Sequence, residues 1–449
     1  MRVNDEKRSL EIARAVEKAG GRAYFVGGYV RDRLTGAAGK DIDIEVFGVT
    51  PDRLRALLSE IGEPYDKGAS FGVIGMRHTD IDVAMPRRES RAGVRHTDFD
   101  VRVDPFMTPR EASARRDFTV NAMMLDPLTE EILDFWGGKA DLERRIIRHV
   151  SDATFADDAL RVFRAAQFAA RLGATVAEET VSLCRGIDVT HLSRERIYEE
   201  LLKALLKADK PSVFFRVLRE MDRLNAFFPD VAGLIGVEQN PKFHPEGDVF
   251  EHTMLTLDAA AALRPMAKEP ANFMLAALMH DLGKQNASEV TQGRITSYRH
   301  PETGVLLAES QLQKLTTNAR TIAYVKNMTL LHMRPNMMAQ ARSKRLKTRR
   351  MFDESVCPED LILLSRADAS GKLDGPYRME HWNFLRERLA DYENCVARPM
   401  VTGADLVAAG YKPGKRMGEM LKRARDLHFS GHEKARALRA VTKEYPPEE

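Results

Sequence analysis

The sequence predicts an α+β protein, a small mixed α/β head followed by a long all-α region. Three observations lead there. Strand-like alternation and short apolar runs, such as Ala23 to Val26 and Ile81 to Val83, are confined to the early part of the chain. Gly27 and Gly28 break the first of these runs where a strand would turn into a helix. From Phe155 onward, apolar residues recur at helical spacing almost to the end. At 449 residues the chain exceeds one ordinary core, and two to four domains are expected.

Taken in order, Glu6 to Ala19 has helical spacing and stops at Gly20-Gly21. Ala23 to Val26 reads as a buried strand, and Gly27-Gly28 lets the backbone turn sharply or approach a ligand closely. Tyr29 to Leu34 reads as the first turns of a helix. Its free N–H groups would favour an anion, with Arg31 adding charge. Lys40-Asp-Ile-Asp-Ile-Glu45 follows, and in a strand the i, i+2 spacing aims Asp41 and Asp43 at one face. Two such carboxylates can hold hard divalent cations beside a triphosphate.

Thr50-Pro51 opens a helix that runs to Ile61. Phe71 to Arg77 and Asp80 to Met85 read as two further strands, the second carrying Asp82. Pro86 to Arg110 is rich in Arg, Asp and Thr and reads as a mobile charged loop. Next, Arg115-Arg-Asp-Phe-Thr-Val-Asn-Ala-Met123 concentrates polar chemistry. The guanidinium groups of Arg115 and Arg116 suit phosphates, and Asp117 or Asn121 suits a ribose hydroxyl.

Asp157, Asp158, Arg161 and Arg164 recur at three or four residues and are expected on one face of a helix. There a carboxylate can accept from the exocyclic amino group of a base while Arg donates to ring acceptors. Later come His252, the adjacent pair His280-Asp281, and Asp368, each in helical surroundings. Mixed imidazole and carboxylate ligands suit a divalent transition metal or Mg²⁺. His300 and His332 are extra imidazoles of the same region.

Hydrophobic residues make up 43% and charged residues 30% of the chain, as in a helix-rich globular protein. The net charge is only +3, but the runs Arg342 to Arg350 and Lys412 to Arg425 are basic enough for a phosphate backbone. Cys184, Cys357 and Cys395 are too few and too scattered for a disulfide framework or a zinc pattern. The N-terminal residues form a charged amphipathic stretch without an apolar core, and no apolar run reaches membrane-spanning length. A cytoplasmic protein that does not enter membranes is therefore expected. Oligomeric state is not legible in the sequence.

Tyr24 to Asp32 followed by Lys40 to Glu45 closely resembles motif A of the class II nucleotidyltransferases, the family of tRNA CCA-adding enzymes and bacterial poly(A) polymerases. Arg115 to Ala122 resembles the family's RRDFTxNA motif, and Asp157 to Arg164 its EDxLRxxRAxRF motif. The latter departs twice, with Asp157 in place of Glu and Gln167 in place of Arg. His252, His280, Asp281 and Asp368 resemble the ligand set of HD phosphohydrolases, with His300 and His332 where two-metal members place further ligands. Val401 to Leu421 resembles the family's closing Gly-Pro-Gly element.

The resemblance implies a head like that of DNA polymerase beta at 1–148, a helical neck at 149–225, an HD body at 226–395, and a tail at 396–449 that contacts tRNA. It implies addition of C, C and A to tRNA 3′ ends from CTP and ATP. Asp41 and Asp43 would hold two Mg²⁺ ions. Gly28, Arg31 and Arg116 would hold phosphates and sugar, Asp158 and Arg161 the base, with Arg164 also on the nucleotide side. His252, His280, Asp281 and Asp368 would form a second metal site with hydrolytic potential. Other readings stay open: a CC-only or A-only enzyme, a poly(A) polymerase, or a phosphohydrolase in which the HD site does the main work. Lys67 to Phe71, where poly(A) polymerases tend to carry Gly-Arg-Arg-Phe, leans towards tRNA.

Overall fold

The head is built outward from β1 (Arg22–Val26), a strand whose Phe25 and Val26 are buried. In the computed structural model, which describes residues 2–36, 41–68, 72–91, 99–242, 244–291, 294–372 and 378–446, β1 lies inside a seven-stranded sheet. Its order is β3 (Pro64–Gly68), β4 (Val73–Met76), β5 (Ile81–Ala84), β2 (Ile42–Phe47), β1, β8 (Met124–Leu125) and β9 (Ile132–Leu133). Only β2 and β5 pair in parallel, so the sheet is mixed and not doubly wound.

α1 (Arg2–Lys18) and α3 (Pro51–Ile61) cover one face of this sheet. Ile12, Val16, Leu54 and Leu58 pack there on Phe25, Ile44, Val46 and Val83. α3 starts where the sequence puts it: the Thr50 hydroxyl accepts from Arg53 N and Pro51 fills the first turn. Between β1 and β2 lies α2 (Gly28–Leu34), entered through Gly27 at φ +68°, a conformation that favours glycine.

Two expectations are corrected. Pro86 to Arg110 is not a plain loop: β6 (Arg87–Arg91) and β7 (Phe99–Val103) form an antiparallel ribbon, followed by α4 (Pro109–Ser113). Charged residues alternate with few apolar ones there, so the pairing leaves little hydrophobic signature. Asp157 and Asp158 do not share a helix with Arg161. After α5 (Thr119–Ala122), α6 (Gly138–Arg144) and α7 (Asp152–Phe155) the chain makes a turn, and α8 (Arg161–Leu172) begins only at Arg161. The Asp158 carboxylate accepts from Leu160 N and so favours the turn over the helix. Lys40 and residues 69–71 lie outside the described residues.

The chain divides into two compact units, one of residues 1–204 and 213–226, the other of 205–212 and 227–449. The second is almost wholly helical, its one short hairpin pairing Glu289–Thr291 with Arg294–Thr296 among the described residues. Its buried helices include Val249–Leu263, Pro270–Met279, His300–Gln313, Ala319–Leu331 and Pro358–Ser370. The basic stretches are largely knitted into this packing. Arg349 holds Asp391 through Nε at 2.8 Å and Nη2 at 2.9 Å, Arg350 reaches Asp426 at 2.7 Å, Arg423 reaches Glu444 at 2.8 Å, and Arg425 pairs with Asp353. No helix among the described residues is long and apolar enough to cross a membrane.

Candidate active site and candidate metal centre

Within the first unit, a cavity of about 720 Å³ opens beside the sheet. Asp43 and Asp82 face it from β2 and β5, where parallel pairing puts the two residues side by side. Burial, then Asp82, push the Asp43 carboxyl above its ordinary range; Arg116 opposes this, and Asp41 adds to it. Lys67 Nζ holds Asp82 at 2.6 and 2.9 Å. Asp41 is exposed just ahead of β2.

Arg116 lines the same cavity and donates to Glu45 Oε2 at 2.8 Å, while its buried Nε makes no hydrogen bond. Gly27 matters here: a Cβ on it would stand 3.5 Å from Arg116 Nη1 and 3.8 Å from Asp43 Oδ2. Asp157, Asp158 and Arg161 form the far wall together with Arg196, which holds Asp158 at 3.0 Å. Arg161 is fixed by the carbonyls of Thr154 at 2.5 Å and Arg115 at 2.6 Å. The cavity thus gathers the carboxylates of Asp43, Asp82, Asp157 and Asp158 and the guanidinium groups of Arg116, Arg161 and Arg196 in one place.

Other predicted residues stand behind this wall. Arg31 is 2% exposed and donates to Asn121 Oδ1 at 2.6 Å and to Asp32. Arg164 gives Nε and Nη2 to Asp117 Oδ2, at 2.8 and 2.6 Å. Burial pushes the Asp117 carboxyl up, but Arg164, Asn121 and the Phe118 amide bring it below its ordinary value. Asp41, Gly28, Arg31 and Arg164 do not line the cavity. Gln167 is 1% exposed within α8. Sequence reasoning missed Arg196, one charge among many on the helix Arg194–Lys207, and Glu45, which it quoted without a role.

The second unit brings its predicted ligands together. Asp281 lies at the centre with both carboxylate oxygens facing imidazoles. Oδ2 is 3.3 Å from His280 Nε2 and 3.6 Å from His252 Nε2; Oδ1 is 3.3 Å from His300 Nε2 and 3.4 Å from His332 Nε2. Asp368 approaches His252 Nε2 at 3.2 Å, and Lys284 holds Asp281 Oδ2 at 2.6 Å. The residues suit a metal: His280 Nε2 and Asp281 Oδ1 are buried without a hydrogen bond, and the donor set is mixed N and O.

Burial pushes Asp281 up, yet Lys284 and His280 hold it well below its ordinary value. His280 is raised, because Asp281 overrides burial, whereas burial lowers His332. A cavity of about 750 Å³ opens beside the cluster, lined by His244, Asp281, Lys284, His300, Arg334 and Lys372 among others. Sequence reasoning missed Lys284, His244 and Glu246. Glu246 precedes His252 by six residues, a spacing with no standard signature.

Residues 23–148 match the Poly A polymerase head domain, 177–234 the probable RNA and SrmB-binding site of polymerase A, and 249–370 the HD domain. These head and HD domains imply use of divalent metal. The solved structure of the Bacillus stearothermophilus CCA-adding enzyme in complex with CTP is similar in fold, with a TM-score of 0.68 at 23% identity, covering 98% of this chain and 97% of that one. The Thermotoga maritima CCA-adding enzyme complexed with tRNA-CCA gives a TM-score of 0.61 at 18% identity, over 96% and 93% of the two chains. Over 440 residues the chain is 34% identical to the multifunctional CCA protein of Alkalilimnicola ehrlichii, covering 95% of this chain and 98% of that relative. With that likeness running nearly end to end, the chain belongs to the family of multifunctional CCA proteins.

Proposed function

We propose that this protein adds C, C and A to tRNA 3′ ends from CTP and ATP without a nucleic-acid template, and that its helical centre is a metal-dependent phosphohydrolase. The observation that carries the first part is the cavity lined together by Asp43, Asp82, Arg116, Asp158 and Arg161, in a chain 34% identical to a multifunctional CCA protein. Asp41 and Asp43 hold Mg²⁺, with Asp82 beside them. Bound there, divalent cations supply Lewis-acid activation of the RNA 3′-hydroxyl and charge stabilisation at the departing pyrophosphate.

The protein's own groups supply the rest. Arg116 faces the phosphates and sugar across Gly27, where the missing side chain leaves room for close approach. Asp158 accepts from the exocyclic amino group that cytosine and adenine share, and Arg161 donates to ring acceptors. Both are held by protein contacts, Asp158 by Arg196 and Arg161 by two backbone carbonyls. Gly28 and Arg31 act from behind, Arg31 by fixing Asn121. Arg164 orders Asp117 beside Arg116. Lys344, Lys347 and the tail meet the tRNA backbone.

One tRNA transcript ending at the discriminator base, at C, or at CC tests this with Mg²⁺ and CTP, ATP or both. Stepwise extension that stops at CCA is expected on a sequencing gel. A product that stops at CC, or a long A ladder, overturns the assignment.

For the helical centre, the convergence of four imidazole Nε2 atoms on Asp281 favours hydrolysis of a phosphate ester, with His252, His280, Asp281 and Asp368 holding a divalent transition metal or Mg²⁺. Asp281→Ala is expected to remove metal-dependent phosphatase or phosphodiesterase activity by ~10²-fold or more, in line with loss of a charged active-site group. Nucleotide incorporation should be untouched. Equal loss of both activities would mean that the substitution acts on folding.

A further inference from the structure

Three of the four imidazoles facing Asp281 are pinned in the same way. Each Nδ1–H donates to a backbone carbonyl three residues earlier: Ala277 for His280 at 2.8 Å, Ser297 for His300 at 2.8 Å, and Thr329 for His332 at 2.7 Å. A neutral ring held so must turn its Nε2 lone pair inward.

His252 reaches the same orientation by another route. Its Nδ1 donates to Glu246 Oε1 at 2.9 Å, and that oxygen also accepts from His244 Nδ1 at 2.8 Å. The Glu246 side chain is 1% exposed, and its Oε2 makes no hydrogen bond. The turn carrying it is braced: Asp248 accepts from Glu251 N at 2.8 Å and from Gly236 N at 2.7 Å, and Gly247 takes φ +118°. The carboxylate is thus delivered to His252 by backbone geometry rather than by a free side chain. The 2.8 and 2.9 Å separations from Glu246 Oε1 to His244 and His252 are those of proton-filled hydrogen bonds, closer than the roughly 3.3 Å between two ligand atoms held tetrahedrally on one metal.

A carboxylate on the far nitrogen of a ligand imidazole fixes its tautomer and makes it a stronger donor than a carbonyl does. We propose that Glu246 is a positioning residue of this centre, holding the His252 Nε2 lone pair toward Asp368 and Asp281 and making His252 the most strongly donating of the four rings. The assignment rests on reading the cluster as a metal centre.

The test uses the full-length protein stripped with a chelator and titrated with Co²⁺, for wild type, Glu246→Ala and Glu246→Gln. Affinity is read by competition, ligation by the visible Co²⁺ spectrum, and the His252 tautomer by ¹⁵N resonances of histidine-labelled protein. Glu246→Ala is expected to weaken Co²⁺ binding ~10–100-fold, the usual range for losing such a partner, and to release the His252 tautomer. Glu246→Gln keeps an acceptor oxygen without the charge and should fall between; it carries the test if the alanine variant does not fold. An unchanged helical circular-dichroism signal and melting curve in each variant report that the second unit, which carries Glu246, is folded. Wild-type Co²⁺ affinity and spectrum in both variants would overturn the role of Glu246. A wild-type protein that binds no Co²⁺ would overturn the metal-centre reading itself, and this assignment with it.

Discussion

Asp43→Asn is expected to lower nucleotide incorporation into tRNA by ~10²–10³-fold or more, the scale set by losing one preorganised charged group at a reacting centre. The same substitution should raise thermal stability at neutral pH. Burial and the neighbouring Asp82 raise the Asp43 carboxyl above its ordinary range, so the folded state bears a cost for keeping it ionised. That cost is present above the raised value and vanishes as pH falls below the unfolded value near ~4. The stability gain of Asp43→Asn should therefore fade in acid. Incorporation assays paired with melting curves at pH 7.5 and pH 4 decide it. Full incorporation by the variant would remove Asp43 from the chemistry, and an unchanged melting temperature at pH 7.5 would remove the strain.

Asp117→Ala is expected to destabilise the first unit by about 3 kcal/mol, the low end for leaving one partner of a buried ion pair uncompensated. Asp117 is 8% exposed and takes both Arg164 contacts, the Asn121 amide at 3.1 Å and the Phe118 N–H at 2.8 Å. Without it, the ion pair left to Arg164 among the described residues is with Glu200, at 3.8 Å, beside the Phe168 ring. The pH sign is opposite to that of Asp43. A lowered carboxyl stabilises the fold above its unfolded value, and that stability is lost as pH falls through the folded value. The gap between wild type and Asp117→Ala should thus close in acid. Urea unfolding at two pH values checks this, and a loss below about 1 kcal/mol would place the pair among weak surface bridges.

What was legible in the sequence was what short-range pattern encodes. The run from Ala23 to Asp43 gave strand, glycine turn, helix and strand because period-two burial and a glycine break are local signals. Thr50-Pro51 gave a helix start for the same reason. The residues that converge at the helical centre were legible because His280-Asp281 is a compact motif and His252 and Asp368 lie in apolar helical surroundings.

What failed was governed by side chains competing with the backbone or by distant pairing. Asp158 looked like the first turn of α8, but its carboxylate stabilises a turn. The ribbon of β6 and β7 is held by cross-strand pairing that a charge-rich alternation does not advertise. Arg196 reaches Asp158 from a helix whose local sequence resembles any solvated face. Arg31 and Arg164 carry the right chemistry in sequence, yet the fold spends their hydrogen bonds on Asn121, Asp32 and Asp117.

The stretch from Arg342 to Arg350 contains six basic side chains, and a polyelectrolyte estimate from sequence would credit each with one displaced counterion when RNA binds. Arg349 and Arg350 already neutralise Asp391 and Asp426, and Arg342 and Arg345 lie 3.4 and 3.5 Å from Glu380 and Asp391. Lys344 and Lys347 are the residues of the stretch without an ion pair among the described residues. The logarithmic dependence of tRNA affinity on salt should accordingly be much shallower for this segment than its charge suggests. Truncating Lys344 and Lys347 should flatten that dependence, while truncating Arg349 should loosen the packing around Asp391 and leave the slope almost where it was.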